Sequence, residues 1–302
     1  MTVREAFLWG REHLAAAGSS EAAVEAELLL RRAAGWDRAG LYTRWESPLA
    51  DSSWSAYRAL LDERAAGRPV HYVLGAREFM GLSFRVDERG LIPRPETEVL
   101  VETVLDFLAG PRTPDSEPRP IVVDVGTGSG CIAISVAYYA PEARVLATDI
   151  SPAALELADE NARRHGVAGR IRFHCGDALD PLPDELAGRV DVIASNPPYV
   201  AEALAATLPR EIRDYEPPVA VVAPGDGLGM HRLLAASARR WLRPGGLLAM
   251  EVGAGQAAAI CEVLQPGYGE VEVFADYGGI DRVVCGRLRS TMQGTAETGA
   301  NT

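Results

Sequence analysis

From Ile121 to Arg287 short apolar runs alternate with amphipathic stretches, and no other feature of the chain limits its fold as much. "IVVDV", "RVLATDIS", "RIRFHCGD", "VDVIASN" and "LLAMEVG" each read as a buried strand. "CIAISVAYYA", "SPAALELADENARRHG" and "GMHRLLAASARRWLRPGG" lie between them with helical periodicity. The second has Ser151 as its cap and Pro152 in its first position, and the third ends in a Gly stop. "QAAAICEVL" adds a helix, and "VEVFAD" and "DRVVCGRL" add two last strands. Parallel strands need long crossovers, and helical crossovers cover both faces of a sheet. The fold class is therefore α/β, a doubly wound sheet with helices on both faces.

The chain before this region has a different texture. Residues 1–68 are rich in Ala, Leu, Glu and Arg and predict a small helical bundle. In "SSEAAVEAELLLRRAAG" Ser20 is the expected cap and Glu21 favours the first turn. "DSSWSAYRALLDERAAG" reads as a second capped helix ending at Gly67. "REFMGLSFRV" predicts a hairpin with Gly81 in its turn, and "IPRPETEVLVETVLDFL" an extended prolyl lead-in to a helix over Glu96–Leu108. "GPRTPDSEPRP" is a proline-rich connection, and the polar tail "STMQGTAETGANT" is expected to be disordered. The expected domains are 1–68, helical; 69–95, a β-hairpin linker; 96–289, the α/β domain; and 290–302, a tail.

Composition narrows the function classes. A net charge of -12 over 302 residues argues against broad binding to nucleic acid or anionic membranes. All 30 basic residues are arginine, so a Schiff-base lysine and a P-loop lysine are excluded. Cys131, Cys175, Cys261 and Cys285 form no CxxC pair, which argues against a zinc site or a disulfide framework. Three of them lie in apolar runs and read as small buried hydrophobes. His71, His165, His174 and His231 show no ligand spacing, and no metal is expected. No signal peptide and no span of about 18 uncharged apolar residues is seen, so a cytoplasmic enzyme without a membrane partner is expected.

"VDVGTGSGCI" places Gly126, Gly128 and Gly130 directly after the first strand of the sheet, with Thr127 and Ser129 between them. Glycines there let the backbone turn tightly and approach a ligand closely. The dinucleotide fingerprint wants its third glycine where Cys131 stands, which weakens a nicotinamide reading. Asp124 just before the loop would repel a phosphate and suit a cationic ligand. Asp149, at the end of the second strand, can take both hydroxyls of a ribose, and Asp177, at the end of the third, lies where a base could sit. Ligands bind at the carboxyl edge of such sheets. A ribose, an adenine, an amino-acid end and a positive sulfonium together make S-adenosylmethionine the best-fitting cofactor.

The fourth strand leaves through Asn196-Pro197-Pro198-Tyr199. Two prolines remove two backbone donors and hold the preceding residues extended. A planar NH2 group is a poor nucleophile because its lone pair is delocalised. Two acceptors on its two N–H groups, the Asn196 side-chain oxygen and the Pro197 carbonyl, would orient it and draw density toward nitrogen. Tyr199 offers a flat face to the planar group or to a sulfonium. Such a group could be a carboxamide or an adenine amine.

"LIPRPETEVLVE", "DVGTGSGCIAIS", "ATDISPAALELADENA", "DVIASNPPYV", "YEPPVAVVAPGDGLGMHR" and "DRVVCGR" resemble the release factor glutamine methyltransferase family, over Arg68 to Arg287. The resemblance implies a helical N-terminal domain, a β-hairpin linker and a Rossmann-like S-adenosylmethionine-dependent methyltransferase domain. It implies N5 methylation of the glutamine in the Gly-Gly-Gln motif of class-1 peptide chain release factors, with the N-terminal helices gripping the release factor; the net charge and the lack of a basic recognition region lead to no stable nucleic-acid partner being expected. By position, Gly126 to Gly130, Asp149 and Asn196 match cofactor contacts; Asp177, from its strand-end place, and Ala178 are also expected at the cofactor, though the family often has a bulkier residue, covering the adenine, where this chain has Ala178. Asn196, Pro197, Pro198 and Tyr199 match the glutamine-binding motif, with Asn196, Pro197 and Tyr199 as the catalytic set. Arg94 and Glu96 belong to the "PRPETE" motif or merely lead into its helix. The rival readings are a ribosomal-protein glutamine, an adenine-N6 nucleic-acid substrate, and a cofactor-binding protein without turnover.

Overall fold

A computed structural model describes residues 1–111 and 119–290. Most of the proline-rich connection and nearly all of the polar tail lie outside the described residues. The chain divides into two compact units: residues 1–77, 85–88 and 206–216, and residues 78–84, 89–205 and 217 onward.

The first unit is helical, with α1 (Val3–Ala16), α2 (Ala22–Ala34), α3 (Arg38–Thr43), α4 (Asp51–Ala65) and α5 (Val70–Leu74). Leu14, Leu29, Leu30, Leu41, Tyr57 and Leu61 are fully buried in its core. Helix α1 begins with a full capping box between Thr2 and Glu5. The cap expected at Ser20 is not used: α2 starts after Glu21, which makes no side-chain cap bond. Ser19 instead accepts from the Glu21 N–H and donates to Glu25 at 2.6 Å. Glu25 is buried, and Arg64 pairs with it at 2.9 Å, which offsets the cost of desolvating the carboxylate. Helix α4 likewise lacks a side-chain cap, since Ala50 holds that position.

The second unit contains the tip of a hairpin formed by β1 (Ala76–Phe79) and β2 (Leu82–Arg85). Met80 and Gly81 both have positive φ, 50° and 67°, as a tight two-residue hairpin turn requires. The tip is tied down by Met80 N donating to Glu98 at 2.6 Å and by the Tyr139 hydroxyl donating to the Met80 carbonyl at 2.6 Å. Helix α6 (Thr97–Ala109) then precedes β3 (Ile121–Val125), α7 (Cys131–Tyr139), β4 (Arg144–Asp149), α8 (Pro152–Arg164), β5 (Ile171–Cys175), β6 (Val190–Ser195) and the short β7 (Val200–Ala201). Helix α9 (Arg210–Tyr215) belongs to the first unit. Helix α10 (Pro218–Val221), β8 (Val222–Ala223), α11 (Gly229–Trp241), β9 (Leu242–Glu251), α12 (Ala257–Leu264), β10 (Tyr268–Ala275) and β11 (Asp281–Leu288) complete the second unit.

Seven strands form one sheet in the order β10-β11-β9-β6-β3-β4-β5. The strands β5, β4, β3, β6 and β9 are parallel, and β11 runs antiparallel between β9 and β10. Residues of alternate parity enter different cores. Val122, Val192, Ala147 and Ala249 pack with α6 and α7, whereas Val123, Ile193, Leu146 and Leu248 pack with α11 and α12. The sheet is thus buried on both faces, the doubly wound arrangement expected.

The Gly stop expected after "WLRPGG" is corrected. Helix α11 ends at Trp241, and Arg243 to Gly246 already lie in β9. Arg243 precedes Pro244, and a residue before proline is held out of helical geometry. Gly245 and Gly246 sit where the β6–β9 register jumps between Val190 and Val192. Arg243 also forms a buried pair with Asp191 at 2.7 Å, and Asp191 accepts the Ile121 N–H at 2.8 Å. This pair ties three neighbouring strands together at one end of the sheet. Asp191→Ala would leave the Arg243 charge without its carboxylate, and urea unfolding should show a loss of about 3–5 kcal/mol.

Candidate functional site

Strands β3 and β6 are parallel neighbours, but the chain leaves β3 toward α7 on one face of the sheet and approaches α11 on the other. A crevice opens at the carboxyl ends of two such strands. Ser195 closes its floor by donating to the Val125 carbonyl at 2.8 Å. A cavity of about 300 Å³ lies there, lined by Gly126, Gly128, Asp149, Asp177, Asn196 and Pro197, among others.

The glycine loop is held from behind. Gly126 and Thr127 N–H groups both donate to the Thr148 carbonyl at 2.9 Å. Gly126 and Gly128 have φ of 71° and 56°, and a Cβ on either would meet nothing within 4 Å. At Gly130, φ 83°, a Cβ would press on Ile134 and Ala158. Thr127, Ser129 and Gly130, expected among the cofactor contacts, do not line the cavity. Thr127 donates to Asp124 at 2.6 Å, the Ser129 carbonyl accepts from Asn161 at 2.9 Å, and Gly130 caps α7. The Thr127 side chain, the Ser129 carbonyl and the backbone at Gly130 hold the loop's shape.

Asp124 is fully buried beneath the loop and accepts from Thr127 and from the Ala133 N–H at 3.1 Å. It does not line the cavity, so any effect of its charge on a ligand is exerted from behind the wall. Burial pushes its carboxyl up to about 7, although those two hydrogen bonds favour the ionised form. Asp149 does reach the cavity. One of its oxygens accepts from Gly128 N and the other from Ser151 N, each at 2.9 Å, so the carboxylate plane is fixed while lone pairs remain on both oxygens. Asp177 lies two residues beyond the end of β5, exposed at the cavity rim. Ala178 lines the cavity with φ 44°, and its methyl offers little cover. Ile150 and Val219, both more than half exposed, present larger apolar surface to the same space.

Asn196, Pro197 and Pro198 all line the cavity. Asn196 Nδ2 donates to Thr97 Oγ1 at 3.1 Å, and Thr97 Oγ1 donates to Glu251 Oε2 at 2.5 Å. Glu251 is 1% exposed, and burial pushes its carboxyl up to about 7, against the Thr97 hydrogen bond and the Arg282 charge. His231 Nε2 donates to the Glu251 carbonyl at 2.8 Å, and burial lowers the His231 pKa, favouring the neutral ring. Tyr199 does not line the cavity; its carbonyl accepts from Gln256 at 3.0 Å, and its ring lies where a side chain on Gly253 would stand. Burial, then the Glu251 charge, pushes its phenol up to about 12.

Several site residues were missed in the sequence. Thr97 lies inside "PRPETE", beside the Arg94 and Glu96 that drew attention. Glu251 ends a strand, the same signal that marked the aspartates. Gly90 lies against the loop, where a Cβ would stand 3.2 Å from Ser129 N, and Arg89 beside it chelates Glu160 at 3.0 and 3.1 Å. Their spacing carries no pattern, and only the fold brings them to the loop. Among the described residues no cluster of metal-ligating side chains occurs, and no helix is long and apolar enough to cross a membrane.

Residues 5–75 match the PrmC N-terminal domain, and residues 117–282 match a methyltransferase domain. The release factor glutamine methyltransferase of Chlorobaculum tepidum is 46% identical over 263 residues, covering 87% of this chain and 89% of that protein. That of Geobacter sulfurreducens is 41% identical over 288 residues, covering 95% and 97%. Among solved structures, the hMettl16 catalytic domain in complex with MAT2A 3'UTR hairpin 6 aligns with a TM-score of 0.55 at 19% identity, covering 77% of this chain and 83% of that one. That last likeness concerns the fold alone.

The buried Asp124 gives the site a pH signature. Its folded pKa lies above the ordinary carboxyl value, so the folded state binds the proton more tightly. The stability this contributes is complete below the unfolded pKa and is lost as pH rises through about 7. Urea midpoints measured between about pH 4 and pH 8 should therefore fall less for Asp124→Asn than for the unaltered chain.

Proposed function

The chain belongs to the release factor glutamine methyltransferase family, and from that premise we infer that it moves a methyl group from S-adenosylmethionine to the N5 side-chain amide nitrogen of the Gly-Gly-Gln glutamine in class-1 peptide chain release factors. The observation that carries the reading is the placement of Asn196 and Pro197 on the wall that also holds Gly126, Gly128 and Asp149.

The cavity suits the cofactor. Its volume of about 300 Å³ is at the small end of ligand pockets, and the two loop glycines leave open space where any side chain would intrude. The remaining lone pairs of Asp149 can accept from ribose hydroxyls, and Ile150 and Val219 offer apolar cover for a base. When bound, S-adenosylmethionine supplies an electrophilic methyl on a positive sulfonium. Asp177 at the rim and Ala178 on the wall are assigned to the adenosine end, and Thr127, Ser129 and Gly130 to the loop that shapes the cradle.

Asn196 and Pro197 orient the accepting nitrogen. The Asn196 amide nitrogen is engaged by Thr97, so Oδ1 is left for the substrate N–H. The Pro197 carbonyl is assigned to the second N–H, on a loop where two prolines add no competing donors. Pro198 stiffens that loop, and Tyr199 anchors its far end through Gln256. Two fixed acceptors hold the nitrogen for in-line attack and stabilise the positive charge that develops on it. No base is required beforehand, because the alkylated nitrogen is acidic and gives its proton to water. The helical unit, matched by the PrmC N-terminal domain, is assigned to gripping the release factor.

Labelled S-adenosylmethionine should mark a class-1 release factor and not its Gln→Ala variant at the Gly-Gly-Gln motif. Label on DNA or RNA would instead mean that the site reads adenine; label on a ribosomal protein alone would move the target. Asn196→Ala should lower kcat by about 10²–10³-fold while thermal unfolding stays cooperative, and near-normal turnover would defeat the two-acceptor account.

A further inference from the structure

Three side chains from three separate elements form one line of hydrogen bonds behind the cavity. Glu251 ends β9, Thr97 opens α6, and Asn196 follows β6. We propose that Glu251, acting through Thr97, is a positioning residue that fixes which end of the Asn196 carboxamide faces the substrate. The proposal rests on the glutamine-amide reading of the preceding subsection.

Nothing in asparagine itself selects the right end. Its oxygen accepts and its nitrogen donates, and the two are nearly the same size and shape. A flipped Asn196 would aim a donor at the donor it must hold. Thr97 removes that freedom. Its hydroxyl has one hydrogen, and Oγ1 lies 2.5 Å from Glu251 Oε2 and 3.1 Å from Asn196 Nδ2. An ionised carboxylate has no hydrogen to give, so the threonine hydrogen goes to Glu251 and Oγ1 can only accept from Asn196. The amide nitrogen therefore turns to Thr97, and Oδ1 is left for the cavity. Thr97 and Glu251 are each 1% exposed, so little water can stand in for either partner. Neither lines the cavity, which separates their part from cofactor binding.

The same line reverses when Glu251 takes a proton. A carboxylic acid can donate to Thr97, whose hydrogen then points at Asn196 and favours its oxygen on that side. Turnover should therefore fall as pH drops through the Glu251 range. The groups acting on Glu251 are known. Arg282 and Arg94 favour its ionised form, and Glu96 opposes it. Tyr199 and Cys131 are each pushed up to about 12, and the His231 pKa is lowered, so the first two keep their protons near neutral pH and His231 stays uncharged. Asp124 also titrates near 7, so an acid limb alone does not identify Glu251. Cutting the line at Thr97 does.

The experiment compares the unaltered chain, Thr97→Val and Thr97→Ser. Turnover of a class-1 release factor is followed against pH at saturating S-adenosylmethionine. In parallel, without substrate, NMR follows the Glu251 carboxyl carbon and the Asn196 side-chain amide nitrogen through the same range. Thr97→Val should lower kcat by roughly tenfold, leave cofactor affinity within about twofold, and flatten the acid limb. Thr97→Ser should keep both turnover and limb. The Asn196 signal should move with the Glu251 midpoint in the unaltered chain and in Thr97→Ser, and lose that midpoint in Thr97→Val. Normal kcat in Thr97→Val, a lowered kcat with the acid limb intact, or an Asn196 signal indifferent to Glu251 in the unaltered chain overturns the proposal. The last measurement needs no variant to fold and no substrate to react. Coupled signals with no methyl on any release factor would keep the line and refute the substrate reading alone.

Discussion

Everything at the site depends on β3 and β6 lying side by side while their helices cover opposite faces of the sheet. The two chains must part at the carboxyl edge, and the crevice opens between them. What lines it is therefore mostly backbone and strand-end residues. Glycines give the loop after β3 its positive φ angles, and prolines give the loop after β6 its rigidity. The Ser195 hydroxyl on the Val125 carbonyl keeps both exits at a fixed separation.

The loop after β6 is anchored at both ends, which explains residues that make no contact with the cavity. At one end Asn196 is held by Thr97. At the other, the Tyr199 carbonyl takes a hydrogen bond from Gln256, and Gly227 and Gly253 leave the room that Tyr199 occupies. A side chain at Gly227 would collide with that carbonyl, and φ of 84° there already suits only glycine. Tyr199 is an anchor of the motif more than a wall of the pocket. Its ring was expected to offer a flat face to the ligand, but four contiguous residues need not turn their side chains the same way, and Tyr199 does not line the cavity.

The fold was legible because period separates strands from helices, and the doubly wound class follows from their alternation. The position of β11 between β9 and β10 was not, since strand order in a sheet leaves no local signal. The caps show the same limit on a smaller scale. Ser151 caps α8 as its spacing predicts, with Oγ accepting from Ala154 N at 3.2 Å. Ser20 does not cap α2, because Ser19 is recruited by Glu25, whose place is set by Arg64 from another helix. The cavity-lining glycines, Asp149 and Asn196 were legible as strand-end residues. Thr97 was not, because its meaning comes from Glu251, 154 residues away in sequence.

The acidic residues near the carboxyl edge of the sheet sort by burial into two jobs. Asp149 and Asp177 reach the cavity, where a carboxylate can accept from a polar ligand and water or ligand can solvate it. Asp124 and Glu251 lie behind the wall, where desolvation works against their charge and each holds a threonine hydroxyl. Through Thr127 the first shapes the loop of the cradle, and through Thr97 the second reaches Asn196. In both cases the acidic residue lies one hydroxyl back from the surface where the chemistry is assigned. The buried pair works through those hydroxyls, Asp124 on the loop and Glu251 on Asn196.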